Sequence, residues 1–290
     1  MPSPAPTGAA PVPDDRKPPR KPPGKPPHAR GANGRIGPGA RARSRGPRAR
    51  APRPDLDDAV VLYGWHPVAE ALRNGKRTIH RLLATENAAR RLAEELPGIA
   101  ASPQIVRPGE IDALLAPDAV HQGLYAEAEP LEGYDLDTLP DDALVLALDQ
   151  ITDPHNVGAI VRTAAAFGVT AILTTARHSP AATGVLAKSA SGGLEHVPFV
   201  VVKNLGDALD RLGERGFLRV GLDSEGEETF ESLAARRPAL LVLGAEGKGL
   251  RARTRSLCDA VARLDMAGAI KSLNVSNAAA IALYALTRRL

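Results

Sequence analysis

The sequence has one cysteine, Cys258, which excludes an intramolecular disulfide framework and a cysteine-cluster zinc site. Aromatic residues are only 3% of the 290 residues, leaving little material for a nucleic-acid reader built on stacking platforms. No apolar run approaches the ~18 residues a membrane-spanning helix needs. With no signal peptide either, the expectation is a cytoplasmic protein without a membrane partner. The histidines are scattered without ligand spacing, so no metal is expected. A G-x-S-x-G nucleophile elbow and a Gly-Lys-Ser/Thr phosphate loop are both missing. Cys258 reads as a small apolar residue in a helix rather than a nucleophile.

Acidic residues are nearly absent from one region. Residues 1–54 hold 13 of the 37 Lys+Arg but only Asp14 and Asp15 of the 33 acids, so the remainder carries an excess of acid. The same stretch holds 15 of the 26 prolines. Those prolines remove amide donors and block helix, so residues 1–57 are expected to be a disordered basic tail. Its arginines suit sequence-independent binding to phosphates. A mitochondrial transit peptide fits poorly, because the first 15 residues have no Arg or Lys.

Behind the tail, residues 58–130 read as a small α/β domain. Strands are expected at 60–64, 79–84 and 123–128, a short extended piece at 105–106, and helices at 66–73, 87–96 and 110–115. Residues 131–142, acidic with Gly133 and Pro140, read as a linker. From 143 to 290 strand and helix alternate. Strands are expected at 144–148, 171–174, 197–202, 218–222, 239–243 and 260–264. Their uninterrupted apolar runs suit a mainly parallel sheet covered on both faces.

Ligands of open α/β sheets sit beyond the carboxyl ends of strands. Three segments stand there. In the first, Asp149 to Arg162, a strand ends, Asp153-Pro154 turns the chain, and Asn156 is the expected cap of the next helix. In the second, Leu243-Gly244-Ala245-Glu246-Gly247-Lys248-Gly249, the glycines let a ligand approach the backbone, which favours a nucleotide-like molecule. In the third, Leu264 to Asn277, the polar Ser272, Asn274, Ser276 and Asn277 exceed what capping requires.

Together, Asn-x-Gly-x-x-x-Arg (156–162), Leu-Gly-Ala-Glu-Gly-x-Gly (243–249) and Ser-Leu-Asn-Val-Ser (272–276) closely resemble the three motifs of the SpoU/TrmH branch of the SPOUT RNA 2′-O-ribose methyltransferases. Lys188 to Pro198 resembles the stretch between those motifs. Tyr63-Gly64…His66 and His121-Gln122-Gly123 resemble the signatures of a substrate-binding domain in the subgroup that contains 23S rRNA guanosine methyltransferases. The resemblance covers roughly residues 60–290. It implies a C-terminal α/β trefoil-knot methyltransferase domain and an N-terminal L30e-like substrate-binding domain. It also implies S-adenosyl-L-methionine as cofactor, RNA (23S rRNA) as partner, and a homodimer.

By the same resemblance, Gly244, Leu264 and Leu273, with Ala245, Gly247, Met266 and Ser276, contact the cofactor. Arg162, Asn156, Glu246, Ser272 and Asn274 line the catalytic face. Asp265 departs from the pattern, which has proline there; it is expected either to loosen the loop or to bring a carboxylate near the cationic cofactor. Two other functions share these features: a tRNA ribose methyltransferase of the same branch, and a non-catalytic RNA-binding assembly factor.

Overall fold

Two sheets organise the chain, and their strands differ in direction. The computed structural model describes residues 59–99, 101–177 and 184–290. The basic tail at 1–57, with the disorder expected of it, lies outside them.

The front sheet has four strands. In chain order its elements are β1 (Val60–Tyr63), α1 (Trp65–Asn74), β2 (Ile79–Ala84), α2 (Glu86–Glu95), β3 (Gln104–Ile105), α3 (Pro108–Asp112) and β4 (Leu124–Ala128). The spatial order is β1-β4-β2-β3, with β4 antiparallel to both neighbours and β3 parallel to β2. Helix α1 stops at Gly75, whose φ of 64° is the left-handed conformation that suits a glycine cap. Leu62, Val68, Leu82, Leu92 and Leu124 form its core.

The rear sheet has seven strands, all parallel. Its elements follow as β5 (Leu144–Asp149), α4 (Pro154–Ala166), β6 (Ala171–Thr175), α5 (Gly184–Ala190), β7 (Phe199–Val202), α6 (Leu205–Glu214), β8 (Leu218–Leu222), β9 (Glu228–Thr229), β10 (Ala239–Gly244), α7 (Ala252–Ser256), β11 (Ala260–Arg263) and α8 (Val275–Thr287). The spatial order is β7-β6-β5-β10-β8-β11-β9. Two late strands are therefore inserted: β10 between β5 and β8, and β11 between β8 and β9. Strands β5 and β10 pair in the middle, and residues 144–148 and 239–243 are fully buried. Such doubly covered strands need apolar residues at every position, which is the pattern the sequence carries. Helices α4 and α8 pack on one face and α6 on the other.

Some local expectations change. Strand β7 begins at Phe199, not residue 197, because Val197 donates its amide to Gly193 in a 3-10 turn at Gly193–Glu195. The two-residue edge strand β9 has no apolar run to announce it. Helix α3 begins two residues earlier than expected, with Pro108 at its start. Cys258 lies beyond the end of α7 rather than within a helix.

Candidate active site

Asp153, not Asn156, caps α4. Its carboxylate accepts from the amides of His155 and Asn156, both at 3.3 Å, and Pro154 occupies the first helical position. Asn156 thus sits in the first turn with its side chain free of capping duty. That side chain reaches across to the loop after β10, where Asn156 Nδ2 donates to Glu246 Oε1 at 3.1 Å. Asn274 caps α8 by accepting from the Ser276 amide at 2.9 Å. Its Nδ2 donates to Glu246 Oε1 at 2.7 Å and to Asn156 Oδ1 at 2.9 Å. The Val275 amide also points at Glu246 Oε1, at 3.4 Å. Two helix N-termini therefore converge on one carboxylate, as favoured by the positive end of each helix dipole.

The network has distinct limits. Ser276, expected at the cofactor, turns its hydroxyl to Asn274 Oδ1 at 2.6 Å and does not line the adjoining cavity. Ser272, expected on the catalytic face, lines that cavity, as Glu246 does. Arg162 lies six residues after Asn156 on α4, about 9 Å along the axis and roughly 120° around it. It is exposed, and among the described residues its side chain has no hydrogen bond or ion pair. Glu246 therefore holds Asn156 and Asn274, not Arg162.

A cavity of about 770 Å³ opens beyond the carboxyl ends of β8, β10 and β11. Gly244, Ala245, Gly247, Leu264, Met266 and Leu273 all line it, with Glu246 at its rim. A Cβ on Gly244 would lie 2.3 Å from the carbonyl carbon of Gly249, so no side chain fits there. The loop closes on itself through the Gly249 amide to Ala245 carbonyl bond, and Gly247 and Gly249 have φ of 73° and 64°. The wall is therefore backbone, where a ligand meets amides and carbonyls without interference. Buried Asp149, at the end of β5, anchors this loop by accepting from Arg251 Nε at 2.6 Å and from the Arg251 amide at 3.1 Å.

The same cavity includes Asp223, Glu225, Arg255 and Lys271, which sequence reasoning missed. Asp223 pairs with Arg255 at 3.3 Å. The end of β8 was the available signal, since Asp223 follows that strand directly. Asp265 does not line the cavity; its carboxylate faces Arg263 Nε at 3.4 Å. The apolar Leu243, Leu264, Met266 and Leu273 suit a planar base, and the mixed charges of Asp223, Glu225 and Glu246 with Lys248, Arg255 and Lys271 suit a ligand that carries groups of both signs. S-adenosylmethionine has both. Burial pushes the Cys258 thiol up to about 12, so it is not a nucleophile near neutrality.

Comparison with known proteins agrees with this geometry. The SpoU rRNA Methylase family matches residues 143–284, and the RNA 2′-O ribose methyltransferase substrate-binding family matches 61–134. The 23S rRNA (guanosine-2′-O-)-methyltransferase RlmB of Pseudomonas aeruginosa is 37% identical over 239 residues, spanning 79% of this chain and 96% of that protein. Its counterpart from Pseudomonas putida is 35% identical with the same coverage. Among solved structures, the SpoU methyltransferase AviRb from Streptomyces viridochromogenes in complex with AdoMet aligns with a TM-score of 0.68 and 26% identity, over 80% of this chain and 91% of that one. The chain belongs to the SpoU family and is an S-adenosylmethionine-dependent RNA 2′-O-methyltransferase.

Proposed function

We propose that the protein methylates the ribose 2′-hydroxyl of a guanosine in 23S rRNA. The observation that carries this reading is the Glu246-centred network at the rim of the glycine-walled cavity. The names of the relatives supply the nucleotide and the RNA. S-adenosylmethionine, when bound, supplies a methyl group already activated on a sulfonium, so the chain has to orient the attacking oxygen, whose proton passes to solvent water as the new bond forms. Asn156 and Asn274, locked by Glu246, orient the ribose. Arg162 clamps the neighbouring phosphate with its planar fork while stabilising the developing alkoxide. Gly244, Ala245, Gly247, Leu264, Met266, Ser272 and Leu273 hold the cofactor; Ser276 acts behind Asn274.

The reading extends to the whole chain. The front domain selects the RNA by shape and by an exposed loop nucleotide, given its few aromatics. The basic tail adds affinity through phosphates. The late insertion of β10 and β11 into the sheet is consistent with the trefoil knot of the family. Exposed Ile281 and Tyr284 on α8 provide an apolar stripe for a homodimer. The setting is cytoplasmic, where rRNA is made accessible.

The test incubates purified protein with radiolabelled S-adenosylmethionine and unmodified 23S rRNA or tRNA, then digests the products. Label in one 23S guanosine is expected. Label in tRNA alone keeps the chemistry and overturns the substrate. No label in either RNA, with cofactor bound, favours a non-catalytic assembly factor.

A further inference from the structure

The segment from Gly184 to His196 lies between the front sheet and α4. On the front side, Arg77 and Glu195 form a buried ion pair at 2.7 Å, with side chains 4% and 2% exposed. Asn74 Nδ2 donates to the Glu195 carbonyl at 2.9 Å, and Arg77 Nη1 donates to the Glu129 carbonyl at 3.0 Å. Glu70 faces His196 Nε2 at 3.0 Å. On the other side, glycines mark the contact with α4. A Cβ on Gly193 would lie 3.1 Å from the Val161 carbonyl oxygen and 3.2 Å from Arg162 Cα; one on Gly158 would lie 2.4 Å from Ser189 Cβ. Glu195 thus belongs to the same 3-10 turn whose first residue rests on the backbone of Arg162.

Arg162 has no side-chain partner among the described residues, so its position is set by its backbone. A buried ion pair is weak evidence for stability, because desolvation offsets its attraction, but its two side chains must meet at contact distance and so tie together the segments that carry them. We infer that the Arg77–Glu195 pair is a positioning device: it fixes the 3-10 turn against α4 and so sets the place of Arg162 from the front domain. The front domain then contributes to the chemical step as well as to RNA choice. This inference rests on the reading of Arg162 as catalytic.

Removing one partner alone would strand a buried charge, so the informative variant is the double change R77M/E195M, which fills the space with apolar side chains. Melting temperature, S-adenosylmethionine binding, single-turnover methyl transfer at saturating RNA, and steady-state kcat and KM for RNA are measured on the full chain. The expected result is a near-native melting temperature, cofactor affinity within about twofold, and a transfer rate reduced by at least ~10-fold with RNA KM little changed. A transfer rate within twofold of the parent overturns the inference, as does a rise in KM with kcat unchanged. Amide exchange over residues 156–163 is a second arm that needs no activity. Faster exchange there in R77M/E195M supports the inference, and unchanged exchange overturns it. If the parent protein labels no RNA, the functional reading fails while the exchange arm still judges the clamp.

Discussion

The front and rear sheets place their polar residues by opposite means. In the rear sheet, parallel strands end together, so two helix starts and one loop bring Asn156, Asn274 and Glu246 together beyond those ends. In the front sheet, β4 runs antiparallel to its neighbours, and no such common end exists. Its polar residues instead meet the Gly184–His196 segment at single points such as Arg77–Glu195 and Lys188 Nζ to Gln122 Oε1 at 3.0 Å. The lesson is that parallel topology concentrates chemistry, while an antiparallel module offers a surface and anchor points.

This contrast is sharpest at Arg162. Arg162→Ala is expected to lower kcat by ~10²–10³-fold, the scale for losing one group that stabilises developing negative charge. Cofactor binding should stay intact in a calorimetric titration. Arg162→Lys should not restore the rate, because lysine lacks the planar fork for bidentate phosphate contact. Near-normal turnover of either variant would remove the distinction between the two sheets.

Next in size is the backbone wall. Gly244→Val forces a side chain into the Gly249 backbone and is expected to weaken S-adenosylmethionine binding by ~10- to 100-fold, in line with overpacking costs of ~1–3 kcal/mol. RNA binding, read by filter retention, should be preserved. Equal loss of both would mean that cavity and RNA surface are not separable.

A smaller effect is expected from the tail. Deleting residues 1–57 should weaken RNA binding by about 10-fold at low salt and flatten the salt dependence, since counterion release scales with the number of phosphates neutralised. Cofactor binding should not move. An unchanged salt slope would assign all RNA contact to the two sheets.

The smallest effect belongs to Cys258. With its thiol raised to about 12 by burial, the thiolate is scarce between pH 7 and 9. Alkylation by iodoacetamide should therefore be slow over that range and accelerate only in strong alkali. Rapid labelling at pH 8 would show that β8 and the chain around Cys258 open readily.

Much of the rear sheet was legible because a strand covered on both faces must be apolar throughout, as at 144–148 and 239–243. Helix starts were less so. Asp153 and Asn156 are both good caps, and only the backbone decides that Asp153 takes the role. Strand β9 was not legible, because two residues at an edge carry no periodic signal. Asp223 escaped notice because acids after strands are common and only its place in the cavity distinguishes it.

The amino-acid sequence by itself determined the alternation of strand and helix, the glycines that must stand at 244, 247 and 249, and the motif residues available for chemistry. Apolar periodicity and φ preference are local properties, and a sequence displays them directly. Tertiary structure alone decided that Asn156 and Asn274 share one oxygen of Glu246, residues 90 and 28 positions apart in sequence. It also decided that Arg162 stands apart from them, and that Glu195 pairs with Arg77 across 118 positions. Those outcomes depend on which strands are neighbours and on close approach at glycines, and strand order is a property of the closed sheet rather than of any segment.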